Sequence, residues 1–208
     1  MQIPPPVRSD LPLRLWYMLT GWGLVGLCYT LAGSKDPTGA HMLEPSAIDR
    51  WFTPDPRGIW LYLSFFLLVP WAFLRSTAEK ALFMTRAFRV SALGAGAVFL
   101  LYPTTMIFPP VPETGISAAV LRGLISVDQM TNCLPSLHVA LTILSVQALW
   151  DRERPWANAA FTLWALAITV SILQIPRHQF VDLIGGFFLA LFAIAAVRIG
   201  QRVFKGAP

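Results

Sequence analysis

Two short stretches decide how this chain is organised: Asn132-Cys133-Leu134-Pro135-Ser136-Leu137-His138 and Arg177-His178-Gln179-Phe180-Val181-Asp182. Each stretch places an ionisable histidine at the edge of a long apolar run. A titrating side chain is costly at such a position in a membrane protein unless it has a function. We therefore expect the two histidines to share one site, with the remaining sequence as its scaffold.

The composition is that of a membrane protein. Of the 208 residues, 55% are hydrophobic and only 13% are charged, which departs from the averages of soluble domains. The length is accounted for by a single domain, residues 1–208, because no linker and no repeat of fixed period is visible. The net charge of +5 does not indicate a nucleic-acid partner, since such proteins do not carry this much apolar sequence. We interpret the basic residues as topology signals at the edges of a bilayer.

Six apolar stretches approach the roughly 20 residues that a helix needs to cross a bilayer. They are residues 13–32, 58–74, 88–108, 136–150, 156–175 and 181–199. The fourth is short and becomes a comfortable span only if it begins near Asn132. Residues 109–129 are too few to cross the membrane and return, which predicts a loop with a short interfacial helix. The predicted fold is an all-α integral membrane bundle of six transmembrane helices.

The basic residues predict the orientation of this bundle. With six spans both termini lie on one side, which holds eleven Lys and Arg residues against five on the opposite side. The positive-inside rule then places both termini in the cytoplasm. The loops before His138 and around His178 both fall on the outer face, which is the periplasm if the protein lies in a bacterial inner membrane. We therefore predict a site at the outer-face helix ends.

The proline of the first stretch predicts a phosphate-binding helix start. Pro135 suits the first turn of a helix, because its missing N–H would be unpaired there. Ser136, Leu137 and His138 would then present their backbone N–H groups to an anion. Asn132 is a candidate cap or further donor. The alternative is an ordinary proline-started membrane helix with a histidine at the level of the lipid headgroups.

The second stretch predicts a nucleophile. His178 and Asp182 are four residues apart, so they share one face of a helix. A carboxylate that accepts the Nδ1 proton leaves Nε2 free and more basic, which makes His178 the candidate nucleophile. The alternative is a structural His-Asp pair that closes a helix end. Ser136 is not expected to act as a nucleophile with His138, because residues i and i+2 of a helix point apart.

We expect neither a metal nor a cofactor. Two histidines and one aspartate from two helix ends lack a further His, Glu or Cys at ligand spacing. Cys28 and Cys133 are interpreted as unpaired thiols. His41 lies in a polar segment and is interpreted as a solvated loop residue.

The motifs resemble a known family. Pro135-Ser136-Leu137-His138 followed by His178-x-x-x-Asp182, on a chain of six apolar spans, resembles the type-2 phosphatidic acid phosphatase superfamily over residues 102–199. The Pro-Ser-Leu-His-Val wording and Asn132 are more similar to its inositolphosphorylceramide-synthase-like, or inositolphosphotransferase, branch. The resemblance implies that His178 attacks phosphorus to give a phosphohistidine, that Asp182 orients His178, and that His138 protonates the leaving oxygen.

The chain departs from the superfamily pattern in its basic residues. The pattern has Lys-x6-Arg-Pro before the first motif, where this chain has Tyr102 and Pro109-Pro110, and an Arg six residues before the second histidine, where it has Ile172. The cationic clamp for phosphate is therefore thin, with Arg122 and Arg177 as candidate replacements. A thin clamp fits a phosphodiester, with one negative charge, better than a phosphomonoester.

The expected function is that of a metal-independent membrane phosphatase or phosphotransferase acting on a phospholipid or another lipid phosphate. The candidate catalytic residues are His138, His178 and Asp182, and the candidate phosphate-binding residues are Ser136, Arg177, Asn132 and Arg122. The alternative is a non-enzymatic transporter or assembly partner whose histidines bind an anionic headgroup. The lipid, the acceptor, the choice between hydrolysis and transfer, and the oligomeric state are left open by the sequence.

Overall fold

The computed structural model describes residues 10–205, with side chains to residue 203. The first nine residues, part of the predicted cytoplasmic N-terminus, lie outside this range. The described part is mostly helical and contains seven α-helices. They are α1 (Leu11–Ala32), α2 (Ile59–Arg75), α3 (Ala78–Leu101), α4 (Ile116–Val127), α5 (Leu137–Leu149), α6 (Pro155–Gln174) and α7 (Phe180–Lys205). The short helix predicted within residues 109–129 is α4.

A pair of two-residue strands departs from the all-α prediction. β1 (His41–Met42) pairs in parallel with β2 (Thr104–Thr105), and Thr104 forms a further bridge with Asn132. The pairing ties together the segments that follow α1, follow α3 and precede α5. Two residues cannot show the alternation by which a strand is recognised, so this sheet could not be predicted from the pattern of residues.

Five helices of the described range are long and apolar enough to cross a membrane. They are Leu11–Ala32, Pro56–Arg75, Ala78–Leu101, Pro155–Gln174 and Phe180–Val203. The predicted fourth span is α5, which has 13 residues, or about 20 Å of helix, and is not among the five. It begins at Leu137 and not near Asn132. The count of six transmembrane helices therefore stays a prediction. The five long apolar helices are consistent with an integral membrane protein.

One end of the bundle holds the start of α1 and the turn between α2 and α3. Arg14 of α1 is buried and donates hydrogen bonds to the carbonyl oxygens of Phe73 and Ser76, where α2 ends. Lys80 in the first turn of α3 donates to the carbonyl oxygen of Trp150, which follows α5. The C-terminus of α5 therefore lies at this end, which is remote from both motifs.

The opposite end, called the motif end, holds both sequence motifs. Asn132, before α5, donates from Nδ2 to the carbonyl oxygen of Tyr29 near the end of α1, at 2.7 Å. The N–H of Asp55, before α2, donates to the carbonyl oxygen of Gln174 at the end of α6, at 2.9 Å. Thus α1 and α6 end here, and α2, α5 and α7 begin here. The side of the membrane that the motif end faces stays a prediction.

The helix α5 lies in the middle of the bundle. It packs against α2, α3, α6 and α7, and its residues Ala140, Leu141 and Leu144 are buried. The outer surface carries large apolar side chains instead, with Leu31 and Leu100 73% and 67% exposed. Exposed apolar surface of this extent is expected to face lipid. A helix that is enclosed by other helices does not have to match the thickness of the bilayer, which accounts for the shortness of α5.

Candidate active site

Two glycines at the start of α7 allow the motifs to meet. A Cβ atom at Gly186 would lie 2.3 Å from the carbonyl oxygen of Ser136, and one at Gly185 would lie 2.6 Å from the side chain of Leu134. Only glycine permits so close an approach, as at other tight helix contacts in membranes. The N–H of Ser136 donates to the carbonyl oxygen of Asp182 at 3.0 Å. The two motifs are therefore joined through their main chains.

The side chains of His178 and Asp182 are in contact, as predicted, but they do not share a face of a helix, because α7 begins at Phe180 and His178 lies in the turn before it. Nδ1 of His178 lies 3.1 Å from Oδ2 of Asp182, and the same oxygen accepts the N–H of Gln179 at 2.9 Å. The side chain of Asp182 is fully buried, and that of His178 is 10% exposed. Because Nδ1 faces the carboxylate, Nε2 is on the opposite edge of the ring and is available for chemistry.

His138 lies in the same pocket. Its ring centroid is 6.3 Å from that of His178, and its ring packs against Tyr62 and Phe65 of α2 with centroid distances of 4.7 Å and 4.8 Å. The two rings are therefore close enough for both to reach one phosphoryl group held between them, with about 3 Å from the attacking nitrogen to phosphorus and about 3 Å from the leaving oxygen to the acid.

The two histidines line a cavity of about 210 Å³, called the histidine cavity. Its apolar walls come from α1, α2, α4 and α5, and its polar lining residues are Tyr29, Tyr62, Asp128, Asn132, His138 and His178. An apolar cavity with a few converging polar groups is the usual form of a small-molecule site.

Local hydrogen bonds occupy Ser136 and part of Asn132. Ser136 is the N-cap of α5, with Oγ accepting the N–H of Val139 at 3.5 Å. Pro135 therefore lies before the cap, which differs from its predicted place in the first turn, and Asn132 is not the cap. Ser136 is not among the residues that line the histidine cavity, and its N–H donates to the carbonyl oxygen of Asp182. Asn132 does line it, and its buried Oδ1 has no partner among the described residues.

The two candidate arginines lie beside a second cavity and not in the histidine cavity. Nε and Nη2 of Arg177 lie 3.0 Å and 2.7 Å from Oδ2 of Asp128, and the guanidinium group is 4.4 Å from the ring centroid of Phe108. Arg122 is exposed and donates to the carbonyl oxygen of Pro112. Both arginines line a cavity of about 590 Å³ at the motif end, called the proline-lined cavity. Their roles as phosphate ligands stay predictions.

Asp128 is a site residue that sequence analysis missed. It caps the C-terminal end of α4 and lines both cavities. Its Oδ1 accepts the hydroxyl of Tyr29 and the N–H of Gln129, while its Oδ2 accepts Arg177. A single aspartate in a loop has no periodicity and belongs to no motif. The one signal in the sequence was the position of Asp128, an acidic residue a few residues before the predicted phosphate-binding motif that begins at Asn132.

His41 is exposed on β1, and its ring stacks on Tyr102 with centroids 3.9 Å apart. It is therefore outside the histidine cavity. In the part of the chain that the structure describes, no three His, Cys, Asp or Glu side chains are grouped so that they could hold a metal ion.

A family model described as the PAP2 superfamily matches residues 58–196, well over half of the chain. The match includes both motifs and all of α2 to α6. The chain belongs to the PAP2 superfamily. No curated protein and no solved structure matches it significantly. Membership of this superfamily supports an enzyme of the phosphatase or phosphotransferase class, whereas assignment to the inositolphosphorylceramide-synthase-like branch stays a prediction.

Proposed function

We propose that this PAP2-superfamily protein is a metal-independent membrane enzyme that hydrolyses or transfers a phosphate-containing lipid headgroup through a phosphohistidine on His178. The observation that carries the proposal is that His138 and His178 line one cavity, with their ring centroids 6.3 Å apart. The carboxylate of Asp182 contacts Nδ1 of His178. A transporter or assembly partner would need histidines that bind a headgroup, but it would not need one of them oriented by a buried carboxylate.

The proposed chemistry has two steps. Nε2 of His178 attacks phosphorus, the P–N bond forms as the P–O bond to the leaving group breaks, and His138 donates a proton to the departing oxygen. The carboxylate of Asp182 accepts a hydrogen bond from Nδ1–H of His178, keeps that proton on Nδ1 and stabilises the positive charge that the ring acquires. In the second step water or an alcohol attacks phosphorus, His138 takes its proton, and the P–N bond breaks.

The walls of the histidine cavity support a lipid substrate. Trp22 and Val25 of α1 and Phe66 of α2 line it, and both helices carry exposed apolar side chains on their outer surfaces. A lipid can therefore keep its chains among apolar side chains while its phosphate lies between the histidines. A water-soluble phosphate ester would leave this apolar lining unused.

The test is phosphohistidine formation and product analysis, with purified protein in detergent and EDTA present. The panel is phosphatidic acid, phosphatidylglycerol phosphate, an isoprenyl phosphate and phosphatidylinositol, each with and without ceramide or diacylglycerol. We expect wild type and His41→Asn to give turnover and an acid-labile phosphoprotein, and His178→Asn to give neither. Free phosphate would identify a phosphatase, and a new phospholipid formed only with acceptor would identify a phosphotransferase.

Two results would contradict the proposal. Full phosphorylation of His178→Asn would mean that another residue is the nucleophile. Tight binding of these lipids without any turnover would favour the transporter or assembly role.

The proposed orientation places the motif end on the outer face, the periplasm for a bacterial inner membrane, with both termini in the cytoplasm. The excess of basic residues on the terminus side supports it. Thr114 is exposed at the motif end and Glu153 is exposed in the loop after α5. A membrane-impermeant maleimide should label Thr114→Cys in intact cells and label Glu153→Cys only after lysis. The reverse pattern would invert the orientation.

A further inference from the structure

The ion pair between Asp128 and Arg177 lies between two cavities of different chemistry. The histidine cavity has apolar and aromatic walls from α1 and α2. The proline-lined cavity is larger and has three basic side chains, Lys35, Arg122 and Arg177, in its lining. Asp128 lines both cavities, so its carboxylate contributes to the electrostatic potential at the phosphate position as well as in the proline-lined cavity.

This ion pair is held firmly in place. Only 6% of the Arg177 side chain and 13% of the Asp128 side chain are exposed. Both carboxylate oxygens are used, with Arg177 on Oδ2, and with the Tyr29 hydroxyl and the Gln129 N–H on Oδ1. Phe108 covers the guanidinium group. Separating such a pair leaves an uncompensated buried charge, which is strongly unfavourable, so Arg177 is expected to remain on Asp128 when substrate binds.

The consequence is that Arg177 brings little net positive charge to the site. A phosphomonoester dianion placed beside His178 would meet the carboxylate of Asp128 together with an arginine that is already neutralised. Charge repulsion scales with the product of the charges. It is therefore about twice as large for the dianion as for a phosphodiester, which carries one negative charge.

We infer that Asp128 is a specificity-determining residue, which neutralises Arg177 and thereby makes the site prefer a lipid phosphodiester over a lipid phosphomonoester. The inference rests on the proposed function and names the substrate class of the same site.

The experiment compares kcat/KM for phosphatidic acid, a monoester, and phosphatidylinositol, a diester, with the same acyl chains. It uses the purified full chain in detergent, with EDTA, at a pH where phosphatidic acid is a dianion. In Asp128→Asn the guanidinium of Arg177 keeps its charge and loses its counter-charge. We expect the ratio of monoester to diester kcat/KM to rise by roughly tenfold or more.

Two charge controls accompany this variant. Asp36→Asn removes a carboxylate from the same end of the molecule, but Asp36 is exposed, is bonded to Thr38 and lines neither cavity, so the ratio should stay at the wild-type value. Arg177→Gln leaves Asp128 uncompensated and should lower the ratio. The double variant Asp128→Asn/Arg177→Gln removes both charges and should return the ratio towards wild type.

An unchanged ratio in active Asp128→Asn would overturn the inference and make Asp128 a structural support for the loop. If Asp128→Asn does not fold, an unchanged ratio in Arg177→Gln would overturn it equally. If Asp128→Asn no longer transfers the headgroup to an acceptor but keeps the wild-type ratio of monoester to diester kcat/KM, the inference is also overturned. Asp128 would then act as a proton acceptor and not as a determinant of specificity. Absence of turnover of every lipid by wild type overturns the proposed function, and this inference with it.

Discussion

The backbone N–H of Ser136 donates a hydrogen bond of 3.0 Å to the carbonyl oxygen of Asp182, which couples the start of α5 to the first turn of α7. His138 lies two residues after Ser136, and His178 lies four residues before Asp182, so this bond fixes how far apart the two imidazole rings can be. Both of its partners are main-chain atoms. The framework of the site and its side-chain chemistry can therefore be tested by separate substitutions.

The substitution Asp182→Asn tests the chemistry alone. It retains the main-chain bond to Ser136, and the amide oxygen can still accept the N–H of Gln179. The negative charge that orients His178 is lost, and we expect kcat to fall by about 10³ to 10⁴-fold, as for an orienting aspartate in a catalytic triad. The measurements are turnover of the preferred lipid and thermal unfolding in detergent. Retention of a large part of the wild-type rate would show that Asp182 has only a structural role.

The substitution His138→Gln tests the proposed general acid. We expect a loss of about 10² to 10⁴-fold in kcat on a substrate with an alcohol leaving group. The burst of nitrophenol released from a p-nitrophenyl ester of the same phosphate class reports the first step alone, and its rate should fall much less, because nitrophenolate departs without a proton. Equal losses on the two substrates would mean that His138 positions the substrate and does not protonate the leaving group.

The substitution Gly186→Ala tests the framework. The added methyl group would lie 2.3 Å from the carbonyl oxygen of Ser136, so α7 must move away from the start of α5. We expect a loss of stability of roughly 1 to 3 kcal/mol together with reduced turnover. Gly200→Ala, in the same helix, is the matched control, because a Cβ atom there has no neighbour within 4 Å among the described residues.

The control should be neutral or slightly stabilising, since alanine is favoured over glycine within a helix. Thermal unfolding in detergent and turnover are measured for both variants. Equal behaviour of the two would show that α7 does not need to approach Ser136 closely.

Several features could be predicted because each follows from a local pattern. Five of the six predicted apolar runs correspond to helices that are long enough to span a membrane. The four-residue spacing of His178 and Asp182 predicted their contact, although His178 lies in the turn before α7 and not on the helix. The order of the apolar runs predicted that both motifs lie at one end of the bundle, and the hydrogen bond between Ser136 and Asp182 joins the motifs there. In each case the determining interaction is close in sequence or is set by the membrane.

Other features depend on contacts between distant residues and carried no local signal. Asn132 bonds to Tyr29, 103 positions away, and Asp128 pairs with Arg177, 49 positions away. The start of α5 was misplaced because Pro135 suits a first turn, whereas the side chain of Ser136 forms the cap. The loop before α5 is positioned by its contacts with α7. These contacts form only in the assembled bundle, so no local pattern of residues predicts them.

The thiol of Cys133 provides a test of whether the loop before α5 stays closed. Burial, with the nearby carboxylate of Asp182, raises the pKa of Cys133 to about 12. The thiolate is the form that reacts with a maleimide, so raising the pKa keeps Cys133 protonated and unreactive at pH 8. In a Cys28→Ser background Cys133 is the only thiol of the sequence. We expect labelling to be on the order of 10³-fold slower in the folded protein than in the denatured protein.

The pH dependence of labelling separates this cause from simple exclusion of the reagent. With a raised pKa the rate should still increase with pH above about 9, where labelling of an ordinary thiol levels off. A slow rate that levels off above about pH 9, as for an ordinary thiol, would mean that access alone protects Cys133. Rapid labelling at pH 8 would mean that the loop before α5 opens. The hydrogen bond between Ser136 and Asp182 would then not be maintained in solution, and the two histidines would not keep a fixed separation.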